Sequence, residues 1–131
     1  MFLDASAIIA ILAEEDEAEA FTAILDAATV RLSSPLAVYE AATGLARRRG
    51  RPLPWAQDVV TAFLQTADVA VVSIGIEEEA EAIDAFDRFG KGRHPAGLNM
   101  GDCFAYACAR THGVPLLFKG DDFSKTDIAR A

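Results

Sequence analysis

A chain of 131 residues, 52% hydrophobic and 24% charged, has the make-up of a single globular domain, residues 1–131, that can bury a core without crosslinks. Its 20 acidic and 12 basic residues leave a net charge of -8, which excludes a general attraction to nucleic acid; any such contact must rest on a local basic patch or on metal ions. No stretch approaches the roughly 20 apolar residues of a membrane span, and the N-terminus lacks the basic segment of a secretory signal, so a cytoplasmic location is expected.

In chain order, "MFL" reads as a short strand buried on both faces and ended by Asp4. "ASAIIAILAE" has helical composition, and "DEAEAFTAILDAA" follows with Ala20, Ile24 and Ala27 at helical spacing beside Phe21, Leu25 and Ala28. "TVRLSS" is a second strand. A helix then opens at Ser34-Pro35 and stops at Gly50, since Ser caps, Pro suits the first turn and Gly suits the exit. "LPWAQDVVTAFLQTA" is another helix, and "VAVVSI" a third strand rich in β-branched residues. In "IEEEAEAIDAFDRFG", Ile76, Ala80, Ile83 and the Phe86/Phe89 pair form one apolar stripe, which predicts the buried face. A Gly/Pro loop, "KGRHPAGLNM", leads to a helix over 101–112 and a strand over 114–118. Cys103 and Cys108 lie five apart in that last helix and point to different sides, so both are expected to be reduced core thiols.

Strands alternating with helices predict an α/β fold, its parallel sheet covered on both faces. In such folds ligands sit outside the carboxyl ends of the strands. Four segments carry acids to that edge: Asp4 after the first strand, Glu40 one turn into its helix, Asp102 opening the last long helix, and Asp121 with Asp122 after the last strand. Each has an ordinary explanation alone. Asp4 can cap a helix, Asp102 suits a helix N-terminus, and Asp121-Asp122 suit a turn. Together they do not. Two carboxylates about 4 Å apart repel by roughly 4 kcal/mol at an effective dielectric near 20. A cleft of several must hold protons or a cation. Oxygen donors without nearby Cys or His point to Mg²⁺ or Mn²⁺, ions that serve phosphate chemistry.

At these residues the chain resembles the PIN-domain family, and within it the VapC-type toxin ribonucleases of type II toxin–antitoxin systems. "FLDASAIIAIL", "SSPLAVYEAATGL", "LNMGDCFAYACA" and "PLLFKGDDFSKTDI" resemble the family's four blocks, which together cover nearly the whole chain. The resemblance implies a three-layer α/β/α sandwich around a parallel sheet. It implies Mg²⁺ or Mn²⁺ held by Asp4, Glu40 and Asp102, and hydrolysis of RNA phosphodiesters. The fourth block departs from the common Thr-x-Asp-x-Asp-Phe pattern, because Phe118 and Gly120 replace the Thr and the first Asp. Asp122, in place before Phe123, is then the fourth acid, with Asp121 as the alternative. Ser6 and Asn99 match polar positions that orient an acid or a water. The resemblance also implies a VapB-like antitoxin and a homodimer.

RNA contact is expected at Lys91 and Arg93, with His94 beside them in the loop before Asp102, and at Lys119. Arg47, Arg48, Arg49 and Arg51 form a second basic group, which also suits a helix C-terminus in solvent. The segment with Trp55 reads as core packing or as a docking surface. Two other functions fit less of the sequence. A catalytically inactive PIN-fold binding module would share every element except metal binding. A receiver-type signalling domain would need a phosphoacceptor Asp after the central strand and an acidic pair after the first; the chain has Ser73-Ile74-Gly75 and a lone Asp4 there.

Overall fold

A computed structural model describes residues 1–131. β1 (Phe2–Leu3), β2 (Leu32–Ser33), β3 (Ala70–Val71) and β4 (Leu116–Leu117) make one parallel sheet in the order β3-β2-β1-β4. Phe2 stands opposite both Leu32 and Leu116, and Leu3 opposite Leu117. Successive side chains point to opposite faces of a sheet, and the two halves of the core follow from that. Leu3 and Leu117 enter one cluster with α1 (Ala5–Leu12), α2 (Ala18–Ala27), α3 (Pro35–Arg49) and α4 (Leu53–Thr66). Phe2 and Leu116 enter the other with α5 (Ile76–Phe89) and α6 (Met100–Thr111). This is the expected α/β/α sandwich.

The capping signals act as the sequence indicates. Ser34 Oγ accepts a hydrogen bond from the Ala37 N–H at 3.2 Å, and Gly50 ends α3 at φ 60°, a left-handed exit. Phe21 and Leu25 are the buried residues of α2, whereas Ala20 and Ala27 are exposed. In α4, Ala56, Val60 and Leu64 are buried and Trp55 packs against the same core, with the Arg51 guanidinium 4.7 Å from its ring centroid. Both cysteines are buried and unpaired.

The α5 stripe is a correction. Ile76, Ala80 and Ile83 face outward, with Ile76 86% exposed, and Phe86 is 40% exposed; the buried residues are Glu78, Ala82, Ala85 and Phe89. α5 packs along α6, where the small Ala82 and Ala85 and the ring of Phe89, 5.9 Å from that of Tyr106, turn toward the buried side of α6. The larger residues are left outside, where Ile83 and Phe86 join Met100 and Phe104 in a shallow apolar groove. β3 also differs, since it is an edge strand with both residues exposed.

The C-terminal tail is ordered by specific contacts. A 3₁₀ turn spans Phe123–Lys125. Asp127 then accepts hydrogen bonds from the Tyr106 hydroxyl and from Arg88, each at 2.6 Å. Beyond it the backbone pairs with the outer edge of β4, as Leu116 N–H donates to Ala129 C=O at 2.8 Å and Ala131 N–H to Leu116 C=O at 3.0 Å.

Candidate active site

All four strands run in one direction, so their carboxyl ends share one edge of the sheet. Asp4 leaves β1 there, Ser34 starts α3 there, and the β4 exit carries Phe118 to Asp122 past it. A cleft of about 410 Å³ opens at this edge, lined by Asp4, Ser6, Tyr39, Glu40, Arg47 and Asp102 among others.

Asp4 is 5% exposed and caps α1. Its Oδ2 accepts from the Ser6 N–H at 2.9 Å and from the Ser6 hydroxyl. Burial nevertheless pushes its pKa up, against the lowering effect of the Ser6 bonds. Ser6 Oγ also accepts from the Lys119 N–H at 3.0 Å, which ties the fourth block to the first.

Asp102 caps its helix and also lines the cleft. Asn99 N–H donates to Asp102 Oδ2 and Asp102 N–H donates to Asn99 Oδ1, each at 2.9 Å, a reciprocal cap for α6. Its other oxygen takes no hydrogen bond from the protein. Its pKa is pushed up to about 6, first by burial and then by the charges of Asp4 and Asp122. Asp122 is therefore the member of the Asp121-Asp122 pair within electrostatic reach of the site; both are exposed.

Glu40 reaches in from α3 and lies against the backbone of α6. A Cβ built on Gly101 would land on its carboxylate, so the missing side chain makes the space that Glu40 fills. Its pKa is pushed up to about 7 by burial, then by Asp4 and Asp102. No Lys, Arg or His is paired with Asp4, Glu40, Asp102 or Asp122, although nine ion pairs form elsewhere on the molecule. The acids share the cleft without closing on one point, as no three stand at ligand spacing.

The donor set is oxygen throughout, carries several like charges and lacks a basic partner. That chemistry fits a hard divalent cation, and the cradle at Gly101 admits Glu40 to the same space. The largest cavity, about 600 Å³ between α3 and α4, is mainly apolar and has no acidic or basic lining residue. It has the volume but not the chemistry, and it meets the acidic cleft at Tyr39 and Thr43.

The expected RNA-contacting cations are placed elsewhere. Lys119 Nζ lies 2.6 Å from Glu15 and 2.9 Å from Glu17, so its charge is already matched. Arg93 pairs with Asp87 at 2.8 Å. Neither Arg93 nor Lys91 lines the cleft. The cation that does is Arg47, two turns beyond Glu40 on α3. A seven-residue spacing returns to nearly the same helix face, which is the signal in the sequence that marks it.

The PIN domain family model matches residues 1–129. The chain belongs to the PIN-domain family. Among PIN domains its relatives are VapC ribonucleases. It is 43% identical to ribonuclease VapC30 of Mycobacterium tuberculosis over 98% of this chain and 96% of the relative. It is 42% identical to ribonuclease VapC of Mycolicibacterium smegmatis over 98% of each, and 40% identical to VapC ribonuclease R02377 of Rhizobium meliloti over 97% of this chain and 98% of the relative. The crystal structure of M. tuberculosis VapC20, a Sarcin-Ricin loop cleaving toxin, superposes with a TM-score of 0.77 at 20% identity, covering 99% of this chain and 97% of that one. That likeness supports the PIN sandwich of this chain.

Proposed function

We propose that this PIN domain is a divalent-metal-dependent endoribonuclease, the toxin of a VapBC-type pair, and that the acidic cleft is where it cuts RNA. The observation that carries the reading is the convergence of Asp4, Glu40 and Asp102 from three separate segments into one cleft, with none of the three in an ion pair. PIN-domain nucleases of the VapC type are in general divalent-metal dependent, and the relatives that this chain matches over nearly its whole length are named ribonucleases.

Asp4, Glu40 and Asp102 would hold Mg²⁺ or Mn²⁺, with Asp122 at the open side. An ion held there would supply Lewis-acid chemistry: polarisation of a phosphoryl oxygen, a lowered pKa for the attacking water and charge compensation at the leaving oxygen. The chain's own groups prepare the site. Ser6 fixes the Asp4 carboxylate. Asn99 fixes Asp102 and leaves one of its oxygens for the cation. Glu40 and Asp102, both with raised pKa values, give up protons when a cation arrives. In-line attack by water leaves 5′-phosphate and 3′-hydroxyl ends. A VapB-like antitoxin and a second copy of the chain complete the proposed assembly.

The test is incubation of purified, antitoxin-free protein with total RNA, in Mg²⁺ or Mn²⁺ and with excess chelator. Discrete fragments bearing 5′-phosphates that vanish with chelator are expected. Folded protein that neither binds the ion nor cuts would favour the binding-module reading instead.

A further inference from the structure

α3 carries a line of side chains beside the acids. Tyr39, Thr43 and Arg47 are spaced by four, so they lie along one face of the helix, and all three line the cleft that holds Glu40. The line is about 12 Å long at 1.5 Å per residue, the length of a few stacked nucleotides. Tyr39 is 65% exposed although it is a large aromatic residue next to two cavities. The Thr43 hydroxyl is committed to its own helix, donating to Tyr39 C=O at 3.0 Å.

Arg47 is set apart from its neighbours. Arg48 pairs with Glu15, Arg49 with Glu14 at 3.6 Å, and Arg51 lies over Trp55. Arg47 has no carboxylate within ion-pair distance, and no backbone carbonyl accepts from it. In a protein of net charge -8, an unmatched guanidinium at the rim of an acidic cleft is the local group that can bring a phosphate in. Guanidinium forks match phosphate oxygens, and exposed aromatic rings stack on unpaired bases.

We propose that Tyr39 and Arg47 form a binding strip for single-stranded RNA, with Arg47 holding a phosphate beside the one that is cut and Tyr39 stacking on a base. The inference rests on the ribonuclease reading and specifies which surface holds the substrate strand. It replaces Lys91, Arg93 and Lys119 as the principal contacts.

The test uses the full chain carrying Asp4→Asn, so that a fluorescein-labelled single-stranded oligoribonucleotide is bound without being cut. Fluorescence anisotropy is read over a range of salt concentrations. Adding Arg47→Ala should weaken binding by about tenfold and lower the salt slope by about 0.7, the loss of one phosphate contact on a single strand. Arg47→Lys should keep the slope. Tyr39→Leu should weaken binding at least about fivefold, and Tyr39→Phe should not. Both residues are exposed, so thermal unfolding should be unchanged. If Arg47→Ala and Tyr39→Leu bind as the parent does, or the parent binds no RNA, the strip is overturned, and this face is then better read as covered by a protein partner. Cutting by the wild type, measured separately, distinguishes the two ideas. Cutting with unchanged binding in the variants sinks the strip alone. Binding that depends on Arg47 and Tyr39 without cutting sinks the nuclease reading alone.

Discussion

The Glu40 carboxylate occupies the space that a side chain at Gly101 would need. Glycine at this second position of α6 is not explained by backbone strain, since its φ is not left-handed; it is explained by what lies against it. Gly101→Ala should therefore leave the fold intact, because alanine favours the helix and the flexible end of Glu40 can move. The displaced carboxylate should cost about 10–100-fold in metal affinity, the usual effect of disturbing a group that orients a ligand. Calorimetric titration with Mn²⁺, alongside thermal unfolding, checks this. Equal affinity in the variant would mean that Glu40 is not a ligand.

Ser6 couples the first and fourth blocks, since its hydroxyl bonds to Asp4 and accepts the Lys119 N–H. Ser6→Ala leaves that half-buried N–H without a partner, at a cost of about 1–3 kcal/mol. Denaturant unfolding should show the loss, and cleavage should slow because Asp4 keeps only its bond from the Ser6 N–H. Wild-type stability together with wild-type cleavage would show that the coupling has no consequence.

Asp122 and Asp121 should separate cleanly. Asp122 raises the pKa of Asp102, whereas Asp121 is not among the groups acting on it. Asp122→Asn should lower the cleavage rate several-fold, while Asp121→Asn should leave it near wild type. Rate measurements under single-turnover conditions decide, and the reverse pattern would reassign the fourth acid.

The raised pKa values set a pH dependence for the metal-free protein. Glu40 titrates at about 7 when folded against an ordinary 4.5, and Asp102 at about 6 against 3.8. Over those windows the native state binds more protons than the unfolded state, so stability falls as pH rises. Their contribution is fully present below about pH 4 and gone above about pH 7. In chelator, the melting temperature should thus fall between pH 5 and pH 8, and Glu40→Gln should flatten the fall. Mn²⁺ should restore stability at the upper end, where the carboxylates are charged. A melting temperature in chelator that is level over this range would contradict the electrostatic account of the cleft.

Much of this was readable from local signals. Ser34-Pro35 and Gly50 bound α3 because caps act over a few residues, and the acids at strand ends follow from the parallel α/β order. The α5 stripe was misleading because Ile76, Ile83 and Phe86 have helical spacing, yet close packing on α6 selects Ala82 and Ala85 for the interior. The pairing of Lys119 is hidden in the sequence because its partners, Glu15 and Glu17, are about a hundred residues away in the chain and meet it only after folding. In the sequence Arg47 is one member of a basic run. Its distinction from Arg48 and Arg49 lies in which way each faces, and that depends on where α1 and its following loop, with Glu14 and Glu15, come to rest.

The central claim is that metal-dependent cutting of RNA depends on the cleft acids, and Asp4→Asn tests it most directly. The change is close to isosteric and keeps an oxygen to cap α1, so the variant should fold and melt within a few degrees of wild type. In Mg²⁺ or Mn²⁺ the wild type should cut total RNA into discrete fragments, and the variant should be slower by at least about 100-fold. Cutting by folded Asp4→Asn at the wild-type rate, or wild-type cutting that persists in excess chelator, would contradict the account.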